Sequence, residues 1–236
     1  MKLYKYTTAE HGLAAIRDGR LKVTTITDAN DPNEWLPVMR DPDTGFDWNA
    51  DPKYRGQFRY TWSHVYGFVS FSAECNNLLM WGHYADKFRG LALVAKVLDE
   101  SKITKVDYQH SRFVIGTSKA GKPSAKTIEE LIRRKDPAWE YEKEYRALIN
   151  LNSCTTKRLA NGDTMYFTPF EPTITLEGVV LGSECTVTVE DIHHTFRQKP
   201  PIGFSIVQLA ADSPTYDLVA SDRRVWDGLE WASTSF

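Results

Sequence analysis

Apolar and polar residues are spaced along the chain in patterns that mark most of its elements. Lys2-Leu-Tyr-Lys-Tyr6 alternates and predicts a first strand. Thr8 is placed to cap a short helix carrying Leu13, Ala14 and Ile16, which Asp18-Gly19 ends. Leu21 to Ile26 is rich in β-branched residues and predicts a second strand. Val65 to Ser72 predicts a third, with Phe68, Ser70 and Ser72 on one face and Val69 and Phe71 on the other. Asn77 to Phe88 reads as a helix apolar on most sides, and therefore buried. Gly90 to Val97 is a nearly continuous apolar strand, and Ile103 to Tyr108 is expected beside it. After a Gly/Ser/Lys loop from Gly116 to Ser124, Thr127 and Glu130 suggest a capping box for a helix over Ile128 to Lys135. Downstream, strands are expected at Thr164–Thr168, Ile174–Leu181 and Ser205–Leu209, and a helix capped by Thr188 running through Phe196. A strand at Tyr216–Val219 would close the chain in a tail whose last dozen residues look peripheral.

Two stretches stand out from this frame. Trp139-Glu-Tyr-Glu-Lys-Glu-Tyr-Arg146 runs into the apolar segment ending at Leu151. Read with period two, it places Tyr145, Ala147, Ile149 and Leu151 on one face and Glu140, Glu142, Glu144 and Arg146 on the other. A charged stripe is ordinarily a solvated face. The aromatic residues Trp139, Tyr141 and Tyr145 mixed into this one point instead to a partly covered site, where crowded carboxylates shift one another's pKa. The second stretch, Thr27 to Ser63, is too long for an ordinary connection and dense in acids, prolines and aromatics. Trp35, Trp48, Tyr54, Phe58 and Trp62 supply apolar area to hold it down, which favours a functional loop over disorder. Asp41-Pro-Asp-Thr-Gly45 lacks the spacing of a calcium loop and reads as turn-forming acids.

The net charge of −2 over 236 residues gives no electrostatic basis for non-specific nucleic-acid or membrane binding. Three cysteines without CxxC spacing do not form a disulfide framework. With no signal peptide and no bilayer-length apolar run, the expected setting is the cytoplasm, away from membranes. Walker, GxGxxG, GxSxG and HExxH signatures are absent, as is zinc-ligand spacing, so no metal is expected. The adjacent His193 and His194 would face different sides of a helix. Cys75 has a histidine, His83, near it in sequence. The fold class read from these elements is a single α+β domain with a mixed or split β-sheet core and a few short helices.

Six stretches in order, Leu3–Tyr6, Asn30-Asp-Pro-Asn-Glu34, Ser70-Phe-Ser72, Met80–Ala85, Trp139–Arg146 and Gly178-Val-Val-Leu-Gly182, resemble a bacterial and phage family of unknown function associated with abortive-infection genes. The chain resembles the ADP-ribosyltransferase superfamily more distantly. Ser70-Phe-Ser72 is similar to its Ser-x-Ser element, and Glu142-Lys-Glu144 to its Glu-x-Glu. Lys5, within Tyr4-Lys5-Tyr6, stands where that superfamily carries His or Arg.

That resemblance implies an ADP-ribosyltransferase-like fold, NAD as substrate, and transfer of ADP-ribose to a macromolecular acceptor by a toxin or defence effector. Glu144 would be the principal carboxylate and Glu142 its partner. The serines would fix the ribose and carboxamide, and Trp81 or Tyr84 would stack on nicotinamide. Two other readings stay open: a nuclease holding metal through Asp31, Glu34, Glu142 and Glu144 with His83, and a non-catalytic partner in a two-gene defence module. For the site itself, Glu144 and Arg146 are expected to face a concavity. Same-face neighbours are splayed too far apart for ideal bidentate pairing, so Arg146 should bond to Asp31, Glu34 or a loop carbonyl. The Asn30–Glu34 turn would then form a lid, and the helix of Trp81 and His83 a wall.

Overall fold

A computed structural model describes residues 1–51, 57–116, 125–210 and 217–234. The chain opens with β1 (Lys2–Thr7), α1 (Ala9–Asp18) and β2 (Arg20–Thr25). The Thr8 hydroxyl accepts the His11 N–H, and Gly19 ends the helix at φ 63°, the left-handed geometry a glycine adopts without cost. Next come β3 (Val38–Arg40), α2 (Gln57–Ser63), β4 (Tyr66–Ser72), α3 (Leu78–Tyr84) and β5 (Leu91–Val97). Short strands β6 (Ile103–Lys105), β7 (Asp107–Tyr108) and β8 (Val114–Gly116) precede α4 (Ala125–Ile132) and β9 (Arg134–Lys135). The remainder is β10 (Glu144–Asn150), β11 (Thr155–Arg158), β12 (Thr164–Pro169), β13 (Ile174–Leu181), α5 (Val189–Thr195), β14 (Ser205–Leu209), β15 (Ala220–Trp226) and β16 (Trp231–Ser233).

The protein is α+β, built on one mixed multi-stranded sheet. Its main path runs β11-β12-β2-β4-β1-β5-β13-β14-β15-β16. The centre is split. Along one edge β4 pairs with β10 over its whole length, from Glu144 opposite Ser72 to Asn150 opposite Tyr66. Two strands share the other edge: β2 meets it at Gly67 and Phe68, and β1 only at Ser72, opposite Tyr4. Between those contacts β1 and β2 diverge, and Val69 to Phe71 have no strand partner on that edge.

Alternation sorts the side chains onto two faces. Leu3, Val69, Phe71, Leu91, Leu93 and Ala147 form the main core, with Ile16 of α1 and Ile192 of α5. The opposite face carries Ala92, Val94, Met80 and Trp81 in one cluster, and Ile26, Trp35, Phe68, Ile128 and Ile132 in another. As its unbroken apolar sequence predicts, β5 is buried on both sides.

Several expectations need correction. The helix begun at Asn77 stops at Tyr84, because Asp86, Lys87 and Phe88 turn left-handed with φ of 47°, 53° and 69°. The segment over Ile103 to Tyr108 splits in two; β6 pairs with β10 and not with β5. Helix α4 starts before Thr127, so no capping box forms there. Arg134 and Lys135 leave the helix to pair with Asp107 and Tyr108. The long loop contains β3, bound in parallel to β8, and α2. The Asp41 carboxylate does serve a turn, accepting the N–H groups of Asp43 and Thr44. The tail is not peripheral, since β15 pairs with β14 and buries Trp226 in the main core. The expected closing strand at Tyr216–Val219 begins at Ala220 instead, and Tyr216 lies outside the described residues, as do Tyr54 and residues 117–124.

The tight turn after α3 fixes one glycine. A Cβ on Gly182 would stand 2.0 Å from the Phe88 carbonyl oxygen, a backbone atom that cannot swing away. Gly182→Ala is therefore expected to cost about 3 kcal/mol, the upper end for over-packing. Chemical denaturation checks this; an unchanged midpoint would contradict the contact.

Candidate functional site

The residues that build the site come from four places. From β10, which starts at Glu144, the Glu144 and Arg146 side chains share the face of Phe68, Ser70 and Ser72. Glu142 is not on that strand, contrary to the period-two reading. It ends a 3-10 turn over Pro137–Glu142, capped by Asp136, and Lys143 at φ 44° separates it from β10. Glu140 points to solvent on the same turn. The strand β9 supplies Lys135, and the loop after β2 supplies Glu34.

These side chains form a buried ion cluster. Arg146 is 1% exposed. Its Nε and Nη2 donate to the two oxygens of Glu144, both at 2.7 Å; Nη2 also donates to Glu34 at 2.8 Å and Nη1 to the Ile132 carbonyl at 3.1 Å. Lys135 Nζ contacts Glu34 at 3.0 Å, Glu144 at 3.1 Å and, more closely, Glu142. The Ser70 hydroxyl donates to Glu144 and the Tyr84 hydroxyl to Glu142, each at 2.5 Å. The Glu144 N–H donates to the Tyr108 hydroxyl.

Arg146 thus reaches Glu34 as expected and ties the loop to the sheet. The expectation that it could not pair bidentately with Glu144 is overturned. Side chains two apart on a strand are splayed at their Cβ atoms, but the guanidinium is long enough to fold back over the carboxylate.

Counting lone pairs separates the two carboxylates. A carboxylate has about four acceptor positions. Glu144 receives four donors: Ser70, two from Arg146, and Lys135. Glu142 receives two, from Tyr84 and Lys135, which leaves acceptor capacity on its side of the cluster. Burial alone would raise both pKa values. For Glu144 it is overcome by Arg146 and Lys135, with the hydrogen bonds from Arg146 and Ser70, and the carboxyl is held well below its usual range. For Glu142 burial prevails over Lys135, the charge of Glu144 adds to it, and the pKa is raised. The pair is driven apart, one member fixed as an anion and the other able to take a proton.

A cavity of about 180 Å³ opens where β1 and β2 part from β4. It is lined by Tyr4, Lys5 and Tyr6 of β1, by Ser70 and Ser72 of β4, by Asn30 and Glu34 of the loop, by Tyr84, and by Glu142, Glu144 and Arg146. Both sides of β1 reach it because it occupies the gap in the sheet and not one face. Lys135, Met80, Asp28, Ala29, Thr24, Phe68 and Phe71 complete it, none of which the sequence marked as a site residue. Three expected residues are elsewhere. Trp81 is fully buried behind the wall, its indole donating to the Cys75 carbonyl and Tyr6 meeting it edge-on. The His83 ring stands beside Tyr84 and Tyr141, off the cavity. Asp31 shapes its own turn by accepting the Asn33 N–H. The wall is therefore Met80 and Tyr84, with Asn30 and Glu34 as the lid. Burial raises the Cys75 thiol pKa, opposite to what a nucleophile needs. Of the carboxylates named for a nuclease metal, Glu34, Glu142 and Glu144 clasp Lys135, Glu34 and Glu144 also clasp Arg146, and Asp31 stands apart in its turn.

Lys5 differs from its neighbours. No described ion pair or hydrogen bond uses its amine, which is more deeply enclosed than the side chain as a whole. Burial lowers its pKa to about 8, against the pull of Glu144. An unpaired buried ammonium destabilises, so Lys5→Met is expected to stabilise the protein at pH 7. Discounting for its half-open position, the gain is about 1–3 kcal/mol. The folded pKa lies below the ordinary 10.5, so the penalty is full below pH 8 and fades as pH rises towards 10.5. Denaturation at pH 7 and pH 10 should show the difference between variant and parent shrinking; a difference constant across that range would refute this.

The chain matches no protein-family model, no curated protein and no solved structure. Among the described residues no helix is long and apolar enough to cross a membrane.

Proposed function

We propose that the protein cleaves NAD and transfers ADP-ribose to a macromolecular acceptor, as its resemblance to ADP-ribosyltransferases implies, in the manner of a toxin or phage-defence effector. The observation that supports this most is the split in the sheet, with Ser70 bonded to Glu144 and Glu142 beside them at the cavity. A cavity of this size is smaller than the roughly 300–1,000 Å³ of sites that enclose whole ligands. It would take the nicotinamide–ribose end, with the rest of the dinucleotide at the mouth.

The chemistry follows from the two carboxylates. When the bond between nicotinamide and C1′ breaks, its electron pair leaves with nicotinamide and C1′ becomes oxocarbenium-like. Glu144, whose carboxyl the Arg146 and Lys135 charges hold below its usual pKa range, supplies a negative charge that favours that state without reorganisation. Glu142 has lone pairs left for a ribose hydroxyl. With its raised pKa it is also the group suited to take the proton of the attacking acceptor. This exchanges the roles the sequence suggested, since the acceptor positions of Glu144 are filled. Lys5, the unpaired cation, would face the anionic part of the ligand. Tyr84, not Trp81, is the aromatic at hand for nicotinamide.

Purified protein incubated with NAD, alone and with a cell extract as acceptor source, should release free nicotinamide. Neither NAD binding nor nicotinamide release under any of these conditions would end this reading. The non-catalytic one would then be preferred, in which the long loop with exposed Phe46 forms a partner surface.

A further inference from the structure

Lys5 stands at the gap in the sheet. Its backbone pairs with Leu93 of β5, whereas β1 meets β4 only at Tyr4, which leaves the edge beside Lys5 open to the cavity. We infer that Lys5 is a covalent site for a small hydroxy-aldehyde, its amine forming a Schiff base with the carbonyl carbon inside the cavity. The inference goes beyond the proposed NAD chemistry and does not rest on it.

Three observations carry it. The first is the amine itself. Lys135, Arg146, Glu34, Glu142 and Glu144 are all paired with one another, but among the described residues Lys5 has no partner. The acceptor positions of Glu144, the nearest carboxylate acting on it, are filled by Ser70, Arg146 and Lys135. The Lys5 nitrogen is not sealed in. It belongs to a residue of the cavity lining, and the fully enclosed unpaired nitrogens of the described residues, such as Trp231 Nε1, do not include it. A lysine becomes a nucleophile when burial disfavours its charged form. Burial, with Lys22 adding to it and Glu144 opposing, lowers the pKa to about 8. At pH 7 roughly a tenth of the amine is then neutral, against about one part in three thousand for an ordinary lysine.

Glu142 is the second observation. It lines the same cavity, burial raises its pKa against the pull of Lys135, and it receives only two donors. In Schiff-base formation the lone pair of the neutral amine makes the bond to the carbonyl carbon, and the carbon–oxygen π pair moves onto oxygen. A proton passes from nitrogen to that oxygen, giving a carbinolamine. The nitrogen pair then closes the C=N bond as the hydroxyl takes a proton from Glu142 and leaves as water. The product is a cationic iminium, whose charge the ionised Glu144 favours.

The third is the size and lining of the cavity. Its volume of about 180 Å³ lies below the roughly 300–1,000 Å³ of sites that enclose whole drug-sized ligands, and suits a compound of a few carbons. Thr24 and Asn30, neither of them buried, offer a hydroxyl and an amide to ligand hydroxyl groups. Glu144 repels a carboxylate on the ligand, so a neutral hydroxy-aldehyde is favoured over an oxo acid.

The test is labelling with glyceraldehyde and sodium cyanoborohydride at pH 7, which reduces the adduct to a stable secondary amine. Peptide mass mapping compares Lys5 with the exposed Lys102 and Lys157. Lys5 should be labelled at least about tenfold faster than either, and the rate should saturate at millimolar glyceraldehyde. Glyoxylate, an aldehyde that carries a carboxylate, should show a smaller preference for Lys5. In Lys5→Met, expected to fold at least as stably as the parent, the fast adduct should vanish with no other lysine taking its place. Glu142→Gln should slow labelling of Lys5 at least about tenfold and leave Lys102 and Lys157 unchanged. Labelling of Lys5 no faster than the exposed lysines, a rate that rises without saturating, an equal preference with glyoxylate, or a full rate in Glu142→Gln would each overturn the proposal.

Discussion

Arg146→Met is expected to be the most destabilising single change at the site, by roughly 3–5 kcal/mol. The side chain is fully buried and makes four hydrogen bonds, three of them to the carboxylates of Glu144 and Glu34. Its removal leaves Lys135 as the one cation facing three buried carboxylates. At about 2–4 °C per kcal/mol for a chain of this size, the melting temperature should fall by roughly 6–20 °C. Arg146→Lys should rescue little, because a single ammonium cannot reproduce the fork across Glu144. Adding Glu144→Gln to Arg146→Met should recover part of the loss, since it removes the stranded charge. The pH dependence has a definite sign. The Glu144 pKa is depressed in the fold, so its contribution is present above the ordinary value of 4.5 and is lost as pH falls towards the folded value. Parent and Arg146→Met should therefore differ fully at neutral pH and converge in acid. Melting within about 2 °C of the parent at pH 7 would mean that the cluster does not support the fold.

Glu142→Gln is expected to lower nicotinamide release by roughly 10²–10⁴-fold, the contribution typical of a positioned general base, which glutamine cannot replace. The same change should cost only about 1 kcal/mol of stability. Lys135 keeps Glu34 and Glu144, and a glutamine carbonyl can still accept the Tyr84 hydroxyl. Glu144→Gln should instead lose both activity and stability, because it leaves Arg146 and Lys135 with Glu34 as their one shared carboxylate. The contrast between the two carboxylates is the measurement that matters. Release by Glu142→Gln within about twofold of the parent would remove Glu142 from the reaction.

What the sequence alone determined is what short-range physics controls. Strands β13 and β14 fall at the residues their patterns mark, and α1 is capped by Thr8 and ended by Gly19. The capping box of α5 joins Thr188 to Asp191. Each depends on neighbours within a few positions. That Glu142, Glu144 and Arg146 gather at a covered place was also legible, because charge among aromatics is unusual wherever it lies.

Tertiary contact decided the rest. Period two ran through Glu142 to Arg146 without a break, but Lys143 in the left-handed region puts Glu142 on a separate turn, and no local signal in a lysine announces that. Lys135 looked like the end of a helix; backbone pairing with Tyr108 draws it into a strand and aims its amine at three carboxylates. Glu34 lies 112 residues before the arginine it binds. Which aromatic of α3 faces the cavity was settled by the packing of Trp81 on Tyr6, which leaves Tyr84 at the wall. The gap itself exists because β1 and β2 meet the same edge of β4 at opposite ends, a relation between three strands that no single stretch of sequence encodes.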